Sequence, residues 1–185
     1  MYKRLRQHLI LTSCLFVFFI IIGVFLEPVI GIETTANLRK AFSPITSYGP
    51  VLLFIFIFIN NSLKALGVIL TGMFAGIPPL LLIAVNGIVL GTIATVAGEQ
   101  NGSVYVIAGL VPHGIFEIPA MILSTSLGCL IGREALCWAL RKQHHILSTY
   151  KESLRLYALV VLPAIAIAAL LEVTITPCVL RLITS

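Results

Sequence analysis

Aspartate is absent from the chain altogether, and charged residues of every kind make up only 10% of its 185 residues. The first absence removes aspartyl intramembrane proteolysis and the usual Asp-bearing phosphoryl-transfer sites. The second removes the soluble globular class, in which roughly 25% of residues are charged and cover the surface. Other chemistry is missing as well. There is no HExxH run for a standard zinc protease and no GxSxG turn with a Ser/His/acid set. The four cysteines, Cys14, Cys129, Cys137 and Cys178, form no CxxC pair, so they read as apolar fillers and imply neither a metal knuckle nor a disulfide framework. These gaps point away from an enzyme, and no cofactor is implied.

What is abundant is hydrocarbon: 59% of the residues are hydrophobic. The bilayer is the solvent that suits such a chain, because an apolar surface facing lipid carries no hydration cost. Spans and short connections account for almost all of residues 1–185, leaving one transmembrane domain and no room for a separate soluble one. The net charge of +5 is not a nucleic-acid signature, since no basic stripe carries interleaved aromatics. Lys3, Arg4 and Arg6 precede the first apolar run, and Arg133, Arg141, Lys142, Lys151 and Arg155 share one connection. That is the positive-inside pattern, and it places the amino terminus in the cytoplasm. Arg39, Lys40 and Arg181 then fall outside, beside Glu33 and Glu99.

A spanning helix needs about 20 mainly apolar residues. Five stretches qualify: 9–26, ending at Glu27-Pro28; 50–74, opened by Pro50 after Ser47 and Gly49; 79–97; 104–131; and 156–176, stopped by Pro177. The fold class is therefore all-α, a polytopic transmembrane helix bundle of about five spans. The fourth stretch contains Pro112 and Pro119, each of which removes a backbone donor and crowds the preceding turn. A kink, a break or a re-entrant segment is expected there, and a separate dip by residues 104–110 would make six spans. Residues 133–155 read as a cytoplasmic basic interfacial segment, with Trp138, Ile146, Leu147, Tyr150 and Leu154 among snorkelling Arg and Lys. Within it, adjacent His144 and His145 diverge on a helix and are read as solvent-facing.

Glycines recur at four-residue spacing as Gly72/Gly76, Gly87/Gly91 and Gly128/Gly132. Such pairs let helix backbones approach closely; packing within the chain is preferred over a homodimer seam, which stays the alternative. Against this apolar background a few polar residues stand out. Asn60, Asn61 and Lys64 lie in the second span, Asn86 lies midway along the third, and His113 and Glu117 lie in the fourth. An ionisable group in hydrocarbon costs roughly 2.5–3.5 kcal/mol on insertion scales, so each needs a partner or a task. Asn60 and Lys64 are one helical turn apart, as are His113 and Glu117. Asn60 and Asn86 sit roughly 15 Å deep at 1.5 Å per residue. The three helices are expected to converge, with Lys64 or His113 balancing Glu117 and the asparagines donating hydrogen bonds. The structural alternative is that the asparagines are interhelical glue, worth about 0.6 kcal/mol each. His113 and Glu117 supply two metal ligands at HxxxE spacing, one short of a protein zinc site, and no metal is assigned. Glu27, Glu99 and Glu172 are read as solvated residues near the outer interface.

Three runs carry a resemblance: Phe58-Ile59-Asn60-Asn61, Asn86-Gly87-Ile88-Val89-Leu90-Gly91, and the stretch 110–119 with Pro112, His113, Gly114, Glu117 and Pro119. In this order, across roughly residues 40–175, they resemble the stage II sporulation protein M family. The resemblance implies an integral membrane protein of a prokaryotic cell membrane. In spore-forming bacteria the family's namesake works with peptidoglycan-degrading partners during engulfment, as their anchor or scaffold. It implies no enzymatic activity. The residues matching its motifs, Asn60, Asn61, Asn86, Gly87, Gly91, Pro112, His113, Gly114 and Glu117, overlap the polar set reached from the residues alone. Two functional expectations follow. One is a non-enzymatic scaffold or complex subunit whose partners, besides the bilayer, are other membrane or envelope proteins. The other is a small transporter or permease component using Glu117 and His113 as an ion, proton or polar-solute site.

Overall fold

The computed structural model describes residues 2–46, 49–143 and 145–184, with side chains for 3–29, 49–143 and 145–183. The side chains of Glu33, Arg39 and Lys40, the turn residue Ser47 and His144 lie outside the described residues. The elements run α1 (Tyr2–Thr46), α2 (Pro50–Thr71), α3 (Ile77–Asn101), α4 (Ser103–Ala139), α5 (Ile146–Leu156), a π-helical turn (Tyr157–Val161) and α6 (Leu162–Thr184). No strand occurs among the described residues. Five stretches of helix are long and apolar enough to cross a membrane: Lys3–Val29, Pro50–Thr71, Ile77–Asn101, Ser103–Ala139 and Ile146–Ile183. The chain is thus a five-span all-helical bundle.

Three expectations about helix ends need correction. Helix α1 does not stop at Pro28 but continues to Thr46. Helix α4 is a single element with Pro112 and Pro119 inside it, neither broken nor re-entrant, which removes the six-span arrangement. Helix α6 likewise runs through Pro177 to Thr184. One physical reason covers the two prolines of α4. A proline forfeits one hydrogen bond, but in hydrocarbon a broken helix would expose several backbone groups with no water to satisfy them. Continuing the helix is the smaller loss.

The spans alternate in direction. At one end Arg4 of α1 meets Glu134 near the end of α4, and the backbone amide of His145, just before α5, donates to the same carboxylate. The α2–α3 turn lies at this end too, since Tyr150 of α5 donates its hydroxyl to Leu70 O at 2.7 Å. The basic stretch 133–155 is accordingly divided between the last turns of α4, a short connection and α5. Helix α5 turns Thr149 and Ser153 inward, and Tyr150 packs on a core cluster of Leu5, Ile69, Leu127, Leu130 and Ile131.

Glycine decides how closely the helices approach. A Cβ at Gly87 would strike Phe19 Cβ at 2.7 Å, and one at Gly91 would collide with the backbone of Ile20. These two residues therefore seat α3 against the parallel helix α1, where Thr92 adds a buried hydrogen bond to Gly23 O at 3.1 Å. Gly128 and Gly132 of α4 do the same against the end of α2 and the turn that follows it. Gly72 and Gly76 seat the α2–α3 connection against α4: a Cβ at Gly72 would collide with the backbone of Gly128, and Gly76 lies against Cys129 and Gly132. The pair bounds that turn, and Gly76 adopts φ +75°, the left-handed conformation that a side chain disfavours, to start α3. All three glycine pairs are used inside the chain, as close packing in lipid requires.

Candidate functional site

Helices α2, α3, α4 and α6 leave a cavity of about 290 Å³ between them, whose polar lining is Asn60, Asn61, Lys64, Asn86, His113, Glu117 and Glu172. Gly114 also borders it, with Ile118, Met121, Phe56 and Ile93 among the apolar lining residues. The position follows from the helix bounds. Asn61 lies about ten residues, or roughly 15 Å, from either end of α2. Because α4 begins at Ser103 and not at Pro112, Glu117 is also deep, roughly 20 Å along its helix. Small residues at the α4 surface, Gly114 and Ala120, are buried and let neighbouring helices close around this level.

The polar contacts are specific. Asn61 Nδ2 donates to Glu117 Oε1 at 2.9 Å, joining α2 to α4 across the cavity. Asn60 Nδ2 donates to Asn61 Oδ1 at 3.3 Å, so the two asparagines form a short chain ending on the carboxylate. Asn86 behaves otherwise: its amide donates to Leu82 O at 2.8 Å, within its own helix, while its side chain still borders the cavity. Lys64 lies near enough to act on Glu117 electrostatically, and its neighbour Ala65 is part of a core cluster with Ala120, Val161 and Ile165.

All six residues singled out as an intramembrane polar set, Asn60, Asn61, Lys64, Asn86, His113 and Glu117, border this one cavity. Glu117 takes its hydrogen bond from an asparagine, and the cation that acts on it is Lys64. Gly87 and Gly91, assigned to packing, face α1 and not the cavity.

Glu172 was misjudged. It was placed in solvent near the outer interface, yet α6 continues past Pro177 and carries Glu172 into the bundle against the cavity. One ligand atom from each of His113, Glu117 and Glu172 lies within 4.8 Å of the others. Nothing local in the sequence marked it, since the proline five residues on gave a false helix end. Of the other two acids read as solvated, Glu99 is exposed and Glu27 is half-buried on α1.

Glu134 was not singled out at all. Its side chain is only 2% exposed, and it is the most buried acid among the described residues. Arg4 Nη1 at 3.0 Å and Arg133 Nη1 at 2.8 Å share its Oε1, and His145 N at 2.8 Å reaches Oε2. The signal that could have found it is an acid flanked by basic residues in the segment predicted to be cytoplasmic.

Fold and cavity together define the class: a polytopic α-helical membrane protein with a half-open polar cavity at mid-depth in its bundle. The sequence profile of the family described as Stage II sporulation protein M matches residues 8–177, nearly the whole chain. The protein belongs to that family. It is also similar to an uncharacterized protein of Methanocaldococcus jannaschii, 32% identical over 123 residues that span 64% of this chain and 68% of the relative. No solved structure matches the chain significantly.

Proposed function

We propose that this protein is a small membrane transport or permease component whose mid-depth cavity receives an ion or a small polar solute. One observation carries the reading: polar residues of four helices face a cavity of about 290 Å³, and the Asn60–Asn61–Glu117 chain leaves His113 and Glu172 on its wall unbonded among the described residues. Structural glue would be dry and mutually hydrogen-bonded. Here His113 Nδ1 is buried without a partner, and no hydrogen bond reaches the Glu172 carboxylate among the described residues. Unsatisfied groups at this depth are costly, and a visiting solute or ion supplies what they lack. We assign no catalytic role, because the chain lacks aspartate and the familiar hydrolase motifs.

The scaffold reading stands second, and family membership favours it: the name Stage II sporulation protein M denotes a sporulation component, and the family resemblance implies an anchor for envelope partners. The two readings part at Glu117. In proteoliposomes carrying a pH-sensitive dye, challenged with proton and Na⁺ gradients, the wild-type protein should pass flux above protein-free vesicles. Glu117→Gln should abolish that flux while folding normally. No flux, together with equal recovery of envelope partners by wild type and Glu117→Gln, would establish the scaffold instead.

We further place the protein in a prokaryotic cell membrane with its amino terminus in the cytoplasm, on the basic residues that gather where α1 begins, α4 ends and α5 begins. An impermeant thiol reagent added to intact cells should then label Cys178, which is exposed near the end of α6, and should reach Cys137 only after permeabilisation. The opposite pattern would invert the topology.

A further inference from the structure

We infer that His113, Glu117 and Glu172 form a binding site for a divalent first-row transition-metal ion on the wall of the cavity. The inference deepens the transport reading and rests on it for the cavity's role. Its geometry stands on three observations.

The first is the ligand set. One imidazole and two carboxylates, from α4 and α6, offer ligand atoms that all lie within 4.8 Å of one another. Around a single ion with bonds of about 2.0–2.2 Å, such atoms sit about 3–3.5 Å apart. Side-chain rotations that draw them together by about 1.5 Å close the set, without moving a helix. A mixed nitrogen and oxygen set suits Mn²⁺, Fe²⁺ or Zn²⁺; all-oxygen sets are the ones that suit Mg²⁺ or Ca²⁺.

The second is what the three residues lack. His113 Nδ1 is buried without a hydrogen-bond partner. The Glu172 carboxylate has no hydrogen-bond partner among the described residues, and Glu117 lies close enough to repel it. Between them the two carboxyl groups accept one hydrogen bond among the described residues, and the imidazole beside them has an unpartnered nitrogen, so lone pairs are left that a single dication accepts.

The third is support around the ligands. Asn61 holds Oε1 of Glu117 at 2.9 Å and is itself held by Asn60, which orients the carboxylate as outer partners of metal ligands do. The cavity leaves space for the water or solute that completes the coordination of a three-residue site. Lys64 faces Glu117 from α2 and competes with the ion for that carboxylate.

The test uses the full chain in nanodiscs, stripped with a chelator and titrated separately with Mn²⁺ and Zn²⁺ by calorimetry. One saturable site per chain is expected. His113→Ala and Glu172→Gln should each weaken it at least tenfold, with helicity and elution volume unchanged. Bound Mn²⁺ should also show coupling to one imidazole nitrogen by pulsed electron paramagnetic resonance, a readout that needs no variant. Absence of saturable binding, undiminished affinity in Glu172→Gln, or Mn²⁺ bound without nitrogen coupling each overturns the site. Glu117-dependent proton or Na⁺ flux without metal binding would defeat the metal site and leave the transport reading standing. Saturable metal binding lost in both variants, without flux, would do the reverse.

Discussion

Two groups of acids lie inside this bundle, and they are treated in opposite ways. At the end where α1 begins, Glu134 is buried to 2% exposure and meets two guanidinium groups and a backbone amide. Its charge is balanced, and donors reach both of its carboxylate oxygens. At mid-depth, Glu117 accepts from one asparagine, and Glu172 faces Glu117 with no hydrogen bond of its own among the described residues. Satisfied burial orders a structure, whereas unsatisfied burial lowers stability and is kept where a site needs it. The contrast suggests that Glu134 pins α1, α4 and the start of α5 together, and that Glu117 and Glu172 await something the fold does not provide.

The difference can be tested by mutation, beginning with the largest expected effect. Glu134→Leu removes three charge-assisted contacts at once and should lower the unfolding free energy by about 2–3 kcal/mol, read from thermal unfolding in detergent. A change below about 0.5 kcal/mol would mean that the cluster does not hold the helix ends together. Arg4→Ala should cost less, about 1 kcal/mol, because the Arg4 side chain is 49% exposed and Arg133 remains on the same oxygen. Raising the salt concentration should shrink that difference.

At mid-depth the sign should change. Glu172→Gln removes an acid that accepts no hydrogen bond among the described residues, so in metal-free buffer stability should stay level or rise by up to about 1 kcal/mol. A clear loss of stability would show that Glu172 has a partner essential to the fold, and the two acid groups would no longer differ. The smallest effect is expected at Asn86→Leu. Among the described residues its amide bonds only to Leu82 O in its own helix, so unfolding should shift by no more than about 0.6 kcal/mol.

Much of the fold was legible before the structure. Hydropathy alone counts the spans, because hydrocarbon admits only helices here, and five of adequate length fit into the chain. The glycine spacings foretold close packing, and Gly87 and Gly91 do seat α3 on α1. Helix ends were less legible. Pro28, Pro112 and Pro177 each looked like a stop, yet each stands inside a continuous helix.

The candidate site divides the same way. Asn60, Asn61, Lys64, Asn86, His113 and Glu117 stood out because polar groups within apolar runs are expensive, and that cost is written in one dimension. Their partners are not. That Glu117 takes its hydrogen bond from Asn61, 56 positions away in the chain, depends on the rotation of two helices about their axes. That Glu172 joins His113 depends on α6 packing antiparallel to α4, and that Glu134 gathers Arg4 depends on both ends meeting. The sequence by itself therefore determined solvent, span number and the polar residues that must be accounted for, since these follow from transfer energies residue by residue. Only the tertiary structure decided which acids are paired and which face a cavity, since pairing is set by distances between helices that no local pattern encodes.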